Sequence, residues 1–535
     1  MRSETRRTAL WVFVFALLVY IVSGGGRIVG SDEVSMLELS RGLLAGHVWV
    51  PEGATLKGQG GRDYTKNAAA QAVLALPLVA AGETAARLAH LDEQRTRLAV
   101  RFLASFFNAF ICALLLAACY AAARRLGASR RAALLTTLTL GFATPLWVYS
   151  KSFMAEPLEA LGLLLALYGA SMSGTPSQRG MTPERVAALG AFIAISAKLS
   201  MLPLTCGALV PLLAVPRRSW RWPAAGVALA LAGHALYNAA RFGTALETGY
   251  GAQATPAAYT TPILVGLYGL LLSSGKGLAW FAPAAWFVPA ALRDGWRESR
   301  RAEATRSRFG MGTPRGRLCV GALATTVLAL LLYSRFQHWA GDGSYGPRYL
   351  VPLLPLMLLC VGPALAGWRK AIPRSKLRLA LFALALGAFV QVGGVAIYFG
   401  AQMREAGDYP YALPLEDPHF MSDSHFNPRY SPVAGSWRML WRNAGEHMSG
   451  QAPRLDMHAD TTGTPASPNA RDARTGLSAA EQRSLLHGLD FWWLYLGYAG
   501  VGGMAPLALA WLLAALAVLA GLRLRAAMRE ETEAP

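Results

Sequence analysis

The sequence predicts an all-α polytopic membrane protein, and three observations lead to this fold class. Of the 535 residues, 54% are hydrophobic and only 15% are charged, which is unlike the composition of a soluble globular protein. Apolar runs recur along the whole chain, many near the roughly 20 residues that a helix needs to cross a bilayer. Lys and Arg give a formal net charge of +20, but they cluster in short blocks between the apolar runs. Such blocks are typical of membrane topology and argue against nucleic acid as a partner.

Hydropathy predicts about twelve transmembrane helices. The first apolar run follows Arg2, Arg6 and Arg7 and lacks a small-residue cleavage site, so we interpret it as a retained span rather than a signal peptide. The predicted spans cover residues 8–23, 98–122, 132–149, 156–173, 186–201, 202–215, 223–240, 277–293, 317–335, 349–366, 377–400 and 491–521.

The basic blocks predict the orientation of these spans. All of them fall on one side if the N-terminus is cytoplasmic, and an even number of spans then places the C-terminus on that side too. The blocks lie at residues 124–131, 217–221, 293–317, 369–378 and 523–529. We therefore expect a bacterial cytoplasmic (inner) membrane protein whose unusual polar residues lie in the extracytoplasmic loops.

The chain divides into three predicted parts. Residues 1–400 form a transmembrane core with a first outer loop at 24–97, residues 401–490 form a partly ordered extracytoplasmic segment, and residues 491–535 form the last span and a cytoplasmic tail. Two short apolar stretches, 68–81 and 263–272, are expected to lie at the outer interface as helices. Within the outer segment, residues 461–476 have the composition of a linker.

The five cysteines lie in or beside apolar runs without paired spacing or nearby histidines. This arrangement favours neither a disulfide framework nor a zinc site. No set of acidic ligands stands out, so we expect no metal site and no obligatory cofactor, and a requirement for a divalent cation has no support.

Two carboxylates, Asp32 and Glu33, lie just beyond the first span. Ser31 is a suitable N-cap, and the following residues predict an amphipathic helix that ends near Gly46. The simplest interpretation of two acids in a first turn is that they complement the helix dipole. Ionisable groups at the mouth of a span are, however, often functional.

Further polar segments follow in an order that resembles a known family. They are Gly61–Asn67, with Tyr64 and Lys66; Tyr149–Pro157, with Glu156; and Gly343–Pro352, with Arg348 and Tyr349. Together with the acid-bearing helix, they resemble the C-type (GT-C) glycosyltransferases, membrane enzymes that use polyprenyl-phosphate sugars. Among them, the later segments are similar to bacterial members related to protein mannosyltransferases and lipid A aminoarabinose transferases.

The resemblance implies a GT-C-like fold with interfacial helices in the first outer loop. It also implies an enzyme that transfers a sugar from a polyprenyl-phosphate-linked donor, drawn from the membrane lipid, to an acceptor hydroxyl on the outer face. The acceptor is a glycan, lipid or protein. The implied roles are general base for Asp32 with Glu33 as a second catalytic acid, donor-phosphate binding for Lys66, Arg348 and Tyr349, and acceptor binding or positioning for Tyr64 and Glu156.

Other interpretations of these residues stay open. Lys66 and Arg348 also suit interface anchors, and Glu156 before Pro157 also suits an ordinary first-turn acid. Lys198 lies within an apolar run, where it needs a partner, a water-filled cavity or a path to the membrane edge. For the whole chain, a secondary transporter is the main alternative, because many carriers also have twelve spans with both termini inside. A non-catalytic membrane scaffold is a third.

Overall fold

The computed structural model describes residues 2–51, 53–175, 180–302, 311–341, 343–368, 374–408, 420–455 and 477–533. Within these ranges the chain is predominantly helical, with one two-stranded antiparallel sheet. The predicted all-α membrane class is confirmed in this coarse form. The predicted linker 461–476 lies outside the described residues, as does part of the outer segment, 409–419.

The N-terminal half begins with a long apolar helix and contains the first outer loop, where the sheet lies. Its elements are α1 (Arg2–Val22), α2 (Ser31–Leu44), β1 (Thr55–Lys57), β2 (Asp63–Thr65), α3 (Ala70–Leu88), α4 (Glu93–Ala104), α5 (Phe107–Arg125), α6 (Arg130–Phe142), α7 (Leu146–Tyr149), α8 (Glu156–Met172), α9 (Pro183–Ala197), α10 (Met201–Leu209) and α11 (Arg221–Phe242).

The C-terminal half mixes long helices with short helical turns. Its helices are α12 (Ile263–Leu271), α13 (Leu278–Phe281), α14 (Val288–Ala302), α15 (Pro314–Arg335), α16 (Leu354–Trp368), α17 (Arg374–Ala396), α18 (Phe399–Asp408), α19 (Phe420–Phe426), α20 (Pro432–Met448), α21 (Ala479–Ser484), α22 (Trp492–Tyr498) and α23 (Ala505–Glu533).

Five described helical segments are long and apolar enough to cross a membrane: Glu4–Val22, Glu93–Arg125, Pro314–Arg335, Arg378–Ala396 and Ala505–Met528. Each overlaps a predicted span. The other predicted spans correspond to shorter or broken helices, or to α11. The region predicted as one span at 277–293 is divided into α13, a 3-10 turn and the start of α14, because Pro283 follows α13 and lacks the amide hydrogen that would continue it.

Two boundaries differ from the prediction in an informative way. The last long helix starts at Ala505 rather than 491, since glycines at 500, 502 and 503 have positive φ and separate it from the aromatic helix α22. The predicted interfacial stretch 68–81 forms a longer helix, α3, which contains Pro77. The stretch 263–272 is helical over α12.

Helices α8 and α9 form the closest-packed pair of the core. Gly162 and Gly169 of α8 and Gly190 of α9 lie at this contact, where a Cβ at Gly190 would collide with the backbone of Ala166. Small residues allow two helix backbones to approach in this way inside a membrane. This packing fixes the start of α8 beside the end of α9, and both ends face the candidate site.

Contacts at the two ends of α1 distinguish two ends of the molecule. Near its start, Glu4 pairs with Arg130, which also donates to the carbonyl of Ala527 at 2.6 Å. Beyond its end, the indole of Trp147 donates to Ser23 at 3.0 Å, and the amide of Trp492 donates to the carbonyl of Gly24 at 2.8 Å. Since α1 is about 30 Å long, the two sets of contacts lie at opposite ends.

Candidate active site

The start of α2 presents Asp32 and turns Glu33 away from it. The N-cap of α2 is Gly30 rather than the predicted Ser31, because the carboxylate of Glu33 accepts a hydrogen bond from the amide of Gly30 at 3.0 Å. The other oxygen of Glu33 accepts from the amide of Phe153 at 2.5 Å. Glu33 is therefore buried against backbone donors, while Asp32, one residue earlier, projects into a cavity.

Burial raises the pKa of Glu33, and the backbone hydrogen bonds from Phe153 and Gly30 only partly offset this effect. The two amides come from different segments, the turn before α2 and the second outer loop. Glu33 thus connects these segments, which is the geometry of a positioning residue.

The β-hairpin brings Lys66 over the start of α2. Gly53, with φ of 101°, allows the chain to pass so close to α2 that an added Cβ would meet the backbone nitrogen of Ser35. The chain then forms β1 and β2, in which Thr55 pairs with Thr65. Lys66 follows β2 directly, and its Nζ lies 3.4 Å from Oδ1 of Asp32.

A hydrogen-bond network behind Asp32 fixes this arrangement. The hydroxyls of Ser35 and Thr65 lie 2.9 Å apart, and the Ser35 hydroxyl donates to the carbonyl of Asp32 at 2.9 Å. Asn67 donates to the same carbonyl at 3.4 Å. The guanidinium of Arg241, on α11, donates to the carbonyl of Thr65. The backbone of Asp32 is therefore held by Ser35 and Asn67, and α11 in turn holds the hairpin at Thr65.

The second outer loop adds Met154 and Glu156. The carbonyl of Met154 accepts hydrogen bonds from Asn108 at 2.7 Å and from Gln71 at 3.2 Å, so α3 and α5 both hold the loop. Glu156, at the start of α8, is buried and accepts a hydrogen bond from Nε of Arg348. Glu156 thus positions the guanidinium that faces Asp32.

Arg348 stands at the end of a constrained loop. Its Nη1 lies 3.8 Å from Oδ2 of Asp32, and its Nη2 lies 3.7 Å from the sulfur of Met154. The buried ammonium of Lys276 donates to the carbonyl of Ser344, and the hydroxyl of Tyr149 donates to that of Tyr345 at 3.1 Å. These contacts define the path of the chain into Arg348.

These segments enclose a cavity of about 570 Å³. The lining includes charged and polar side chains and also aromatic and aliphatic ones, among them Leu199, Tyr333 and Phe336. The rings of Tyr333 and Tyr349 stack at 4.5 Å. The ionisable side chains of Lys, Arg, Asp and Glu in the described lining are Asp32, Lys66, Glu159, Lys198, Arg241 and Arg348.

In the cavity lining, the carboxylate of Asp32 lies between the cations Lys66 and Arg348. Burial raises its pKa, but the charges of Arg348 and Lys66, with a hydrogen bond from Lys66, outweigh burial and hold the pKa below its usual value. The Asp32 side chain keeps 22% of its surface exposed. It is therefore ionised at neutral pH and accessible from the cavity, so it can accept a hydrogen bond or a proton.

The structure brings only some of the predicted site residues into the cavity. Asp32, Lys66, Arg348 and Tyr349 line it together, although they come from three separate segments of the chain. Among the described residues, Glu33, Glu156 and Tyr64 are not part of the lining. Tyr64 is buried, and its hydroxyl donates to the carbonyl of Gln59 at 3.2 Å inside the hairpin.

The structure adds three charged residues that the sequence did not assign to the site. Glu159 lies one turn after Glu156 on α8, and Lys198 caps α9, with Nζ 5.1 Å from the centre of the Tyr349 ring. Arg241 is 2% exposed and stacks on Tyr237 at 4.0 Å. Their common signal was an ionisable residue inside an apolar run. Of the three residues, only Lys198 stood out in the sequence as a charge within an apolar run.

Among the described residues, no three His, Cys, Asp or Glu side chains group together in a way that suits a metal ion. The described lining instead combines two carboxylates with a larger number of ammonium and guanidinium groups. Such a set favours an anionic ligand that also offers hydroxyl groups.

No family model and no curated protein matches the chain. Among solved structures, ArnT from Cupriavidus metallidurans in the apo state matches at 18% identity and a TM-score of 0.47, over 82% of this chain and 70% of that one. ArnT bound to undecaprenyl phosphate matches at 17% and 0.45, over 90% and 85%. An oligosaccharyltransferase from Archaeoglobus fulgidus matches at 11% and 0.39, over 81% and 64%.

ArnT is a lipid A aminoarabinose transferase of the GT-C superfamily, which also includes the archaeal oligosaccharyltransferase. The resemblance predicted from the sequence and these structural matches name the same superfamily. The likeness is remote and by itself says nothing about what this chain binds or transfers.

Proposed function

We propose that this protein is a membrane glycosyltransferase that transfers a sugar from a polyprenyl-phosphate donor to an acceptor hydroxyl. The observation that carries the proposal is the position of Asp32, an ionised carboxylate held between Lys66 and Arg348 at the wall of one cavity. A proton acceptor beside two phosphate-binding cations is what this transfer requires. The aromatic and aliphatic side chains of the lining suit the first isoprene units of the donor.

In the proposed reaction the acceptor oxygen attacks the anomeric carbon as the bond from that carbon to the phosphate oxygen breaks. The polyprenyl phosphate leaves with the electron pair of that bond, and Lys66 and Arg348 balance its charge. The hydroxyl proton passes to Asp32. A single displacement inverts the anomeric centre. Lys66 and Arg348 neutralise the negative charge of the departing phosphate, a role for which other enzymes use a divalent ion. Glu33 and Glu156 act by positioning the loops.

The proposal includes the finer membrane topology. We place both termini in the cytoplasm and the cavity at the outer face of the cytoplasmic membrane, with about twelve spans and with α3 and α12 at the interface. The arrangement is supported by the contact of Arg130 with both terminal helices, at the end of α1 away from the cavity loops. The segment 401–490 then lies outside, and the bilayer supplies the donor.

Substitution of the proposed base tests the function. In cells that lack the gene, wild-type protein should restore a sugar modification that mass spectrometry detects in envelope lipids, glycans or proteins. Asp32→Asn should lower that transfer by roughly 10²- to 10⁴-fold, the usual contribution of a general base. Asp63→Asn is the matched control, since Asp63 lies on β2 and pairs with the exposed Lys57. Near-normal transfer by a correctly inserted Asp32→Asn protein would rule out the assigned base.

A secondary transporter is the alternative function that the sequence allows. The ion pairs around Asp32 connect residues at one end of the molecule rather than at its middle, whereas carriers bind their solutes near the bilayer midplane. Purified protein in liposomes without lipid-linked sugar separates the two functions. Uptake of a solute under those conditions would favour the carrier. No solute uptake, together with sugar transfer in cells, would favour the enzyme.

A further inference from the structure

A buried carboxylate, Glu159, lines the cavity beside the proposed phosphate-binding cations. Glu159 is 1% exposed, and its Oε1 has no hydrogen-bond partner among the described residues. A buried carboxylate oxygen without a donor costs free energy that a ligand hydroxyl would recover. Glu159 is thus a prepared acceptor for a hydroxyl of a bound molecule.

Lys198 lines the same cavity as Glu159. The two side chains lie close enough for their charges to interact, and both face the lining. An acceptor next to a donor suits two neighbouring hydroxyls of a sugar, one of which donates to Glu159 while the other accepts from Lys198. The Tyr349 ring, which contacts Lys198, adds an apolar face nearby.

The charge of the cavity determines which sugars suit this pair. The described lining carries four cations and two carboxylates, and the cations remain in excess when Glu156 behind Arg348 is counted. The phosphate of the donor is attracted by this excess. An amino sugar would bring another positive charge next to Lys198 and the other cations of the lining, and this excess of positive charge would repel it.

We propose that Glu159 and Lys198 form the sugar-binding part of the site and select an uncharged sugar, through its hydroxyls, against an amino sugar. This inference rests on the proposed function, which it narrows to a class of donor. Glu159 acts by binding, whereas Asp32 acts on the reacting hydroxyl.

Binding of defined donors to purified protein tests the inference without knowledge of the acceptor. The probes are undecaprenyl phosphate alone, the same lipid carrying mannose, galactose or arabinose, and the 4-amino-4-deoxy counterparts of these sugars. Competition against labelled undecaprenyl phosphate gives the affinities. For at least one sugar, the neutral donor should bind about tenfold more tightly than its amino counterpart, which corresponds to 1.4 kcal/mol.

Variants separate a binding role from a structural one. Glu159→Gln should weaken the preferred neutral donor by about 10- to 100-fold while undecaprenyl phosphate alone binds as to the wild type. Lys198→Met should reduce the discrimination against the amino sugar. The exposed Lys57→Met serves as the matched control and should retain the discrimination.

The outcomes distinguish the inference from the function on which it rests. Equal or tighter binding of the amino donors, or unchanged donor affinities in Glu159→Gln, would overturn the inference while the glycosyltransferase proposal stands. If undecaprenyl phosphate and every sugar donor failed to bind the wild-type protein, both proposals would fall. A Glu159→Gln protein that lost binding of undecaprenyl phosphate as well would show a structural role and would also overturn the sugar-binding assignment.

Discussion

The charge of Asp32 is set by its neighbours rather than by its position in a helix. An acid in the first turn of a helix gains at most a modest stabilisation from the helix dipole. Here the guanidinium of Arg348 and the ammonium of Lys66 keep the pKa of Asp32 below its usual value, against the opposing effect of burial. A base with a lowered pKa accepts a proton less readily, but it is fully ionised throughout the neutral range.

This pKa predicts the acid limit of the reaction. Because the general base works only when deprotonated, transfer should be lost as pH falls through the lowered pKa of Asp32, below the ordinary value of 3.8. In Lys66→Met one of the two cations is gone, so the pKa of Asp32 should rise and the loss should begin at higher pH. Initial rates between about pH 3 and pH 7 measure the shift.

A control distinguishes this electrostatic effect from a general loss of positive charge. Lys57→Met removes an ammonium that pairs with Asp63 in the same hairpin and should leave the acid limit where it is in the wild type. The assignment would be wrong if both variants shifted the limit equally, or if Lys66→Met lowered the rate without moving it.

The individual site residues were predictable to different degrees. Asp32, Lys66 and Arg348 could be proposed as site residues because each lies in a polar segment next to a span. An ionisable group at such a position is costly and therefore often functional. Glu33 and Tyr64 were grouped with them, but a sequence does not show which way a side chain points. Glu33 turns back to the Gly30 amide and Tyr64 turns into the hairpin.

At the scale of elements, a buried ion cluster joins the last part of the chain to the site loops. The carboxylate of Asp490 lies 2.6 Å from Arg27 and 2.7 Å from Lys151. Lys151 also donates to the carbonyls of Val395 and of Asp490, at 2.7 Å and 2.6 Å. The cluster therefore connects the chain after α1, the loop before α8, the end of α17 and the chain before α22.

Loss of the central carboxylate should be strongly destabilising. Both cations hold the pKa of Asp490 below its usual value despite burial, so the stabilisation is present at neutral pH and is lost as pH falls through that lowered pKa. Asp490→Leu leaves two cations without their carboxylate, at a cost of roughly 3–5 kcal/mol. Denaturant unfolding in detergent micelles measures this change.

A second pair of variants tests the assignment to charge burial. Asp63→Leu removes a carboxylate that pairs with Lys57 at the surface, where the two side chains are 36% and 70% exposed, so the effect of that pair should be small. Adding Lys151→Met to Asp490→Leu should restore part of the lost stability, because one uncompensated cation is removed. Equal effects of Asp490→Leu and Asp63→Leu would contradict a buried cluster.

For the whole molecule, composition was sufficient to predict the class but not the number of continuous helices. Apolar runs and basic blocks gave a polytopic helical protein because the membrane imposes that composition on any fold. Hydropathy alone does not show where a proline or a pair of glycines interrupts an apolar run, as Gly502 and Gly503 do before α23. Nor does it show which loops meet, since that depends on long-range packing such as the contact between α8 and α9.

The contacts at the two ends of α1 predict which exposed positions can be labelled from outside the cell. Arg130 joins the start of α1 to the end of α23, and the cavity loops lie at the other end of α1. If the cavity faces outward, Ser449→Cys should react with an impermeant maleimide in spheroplasts, whereas Ala526→Cys should react only after permeabilisation. Both positions are exposed, and Cys206→Ser removes the exposed native thiol. The opposite labelling pattern would place the cavity in the cytoplasm, where a nucleotide-linked donor would be available, and would contradict a donor that binds from the outer leaflet.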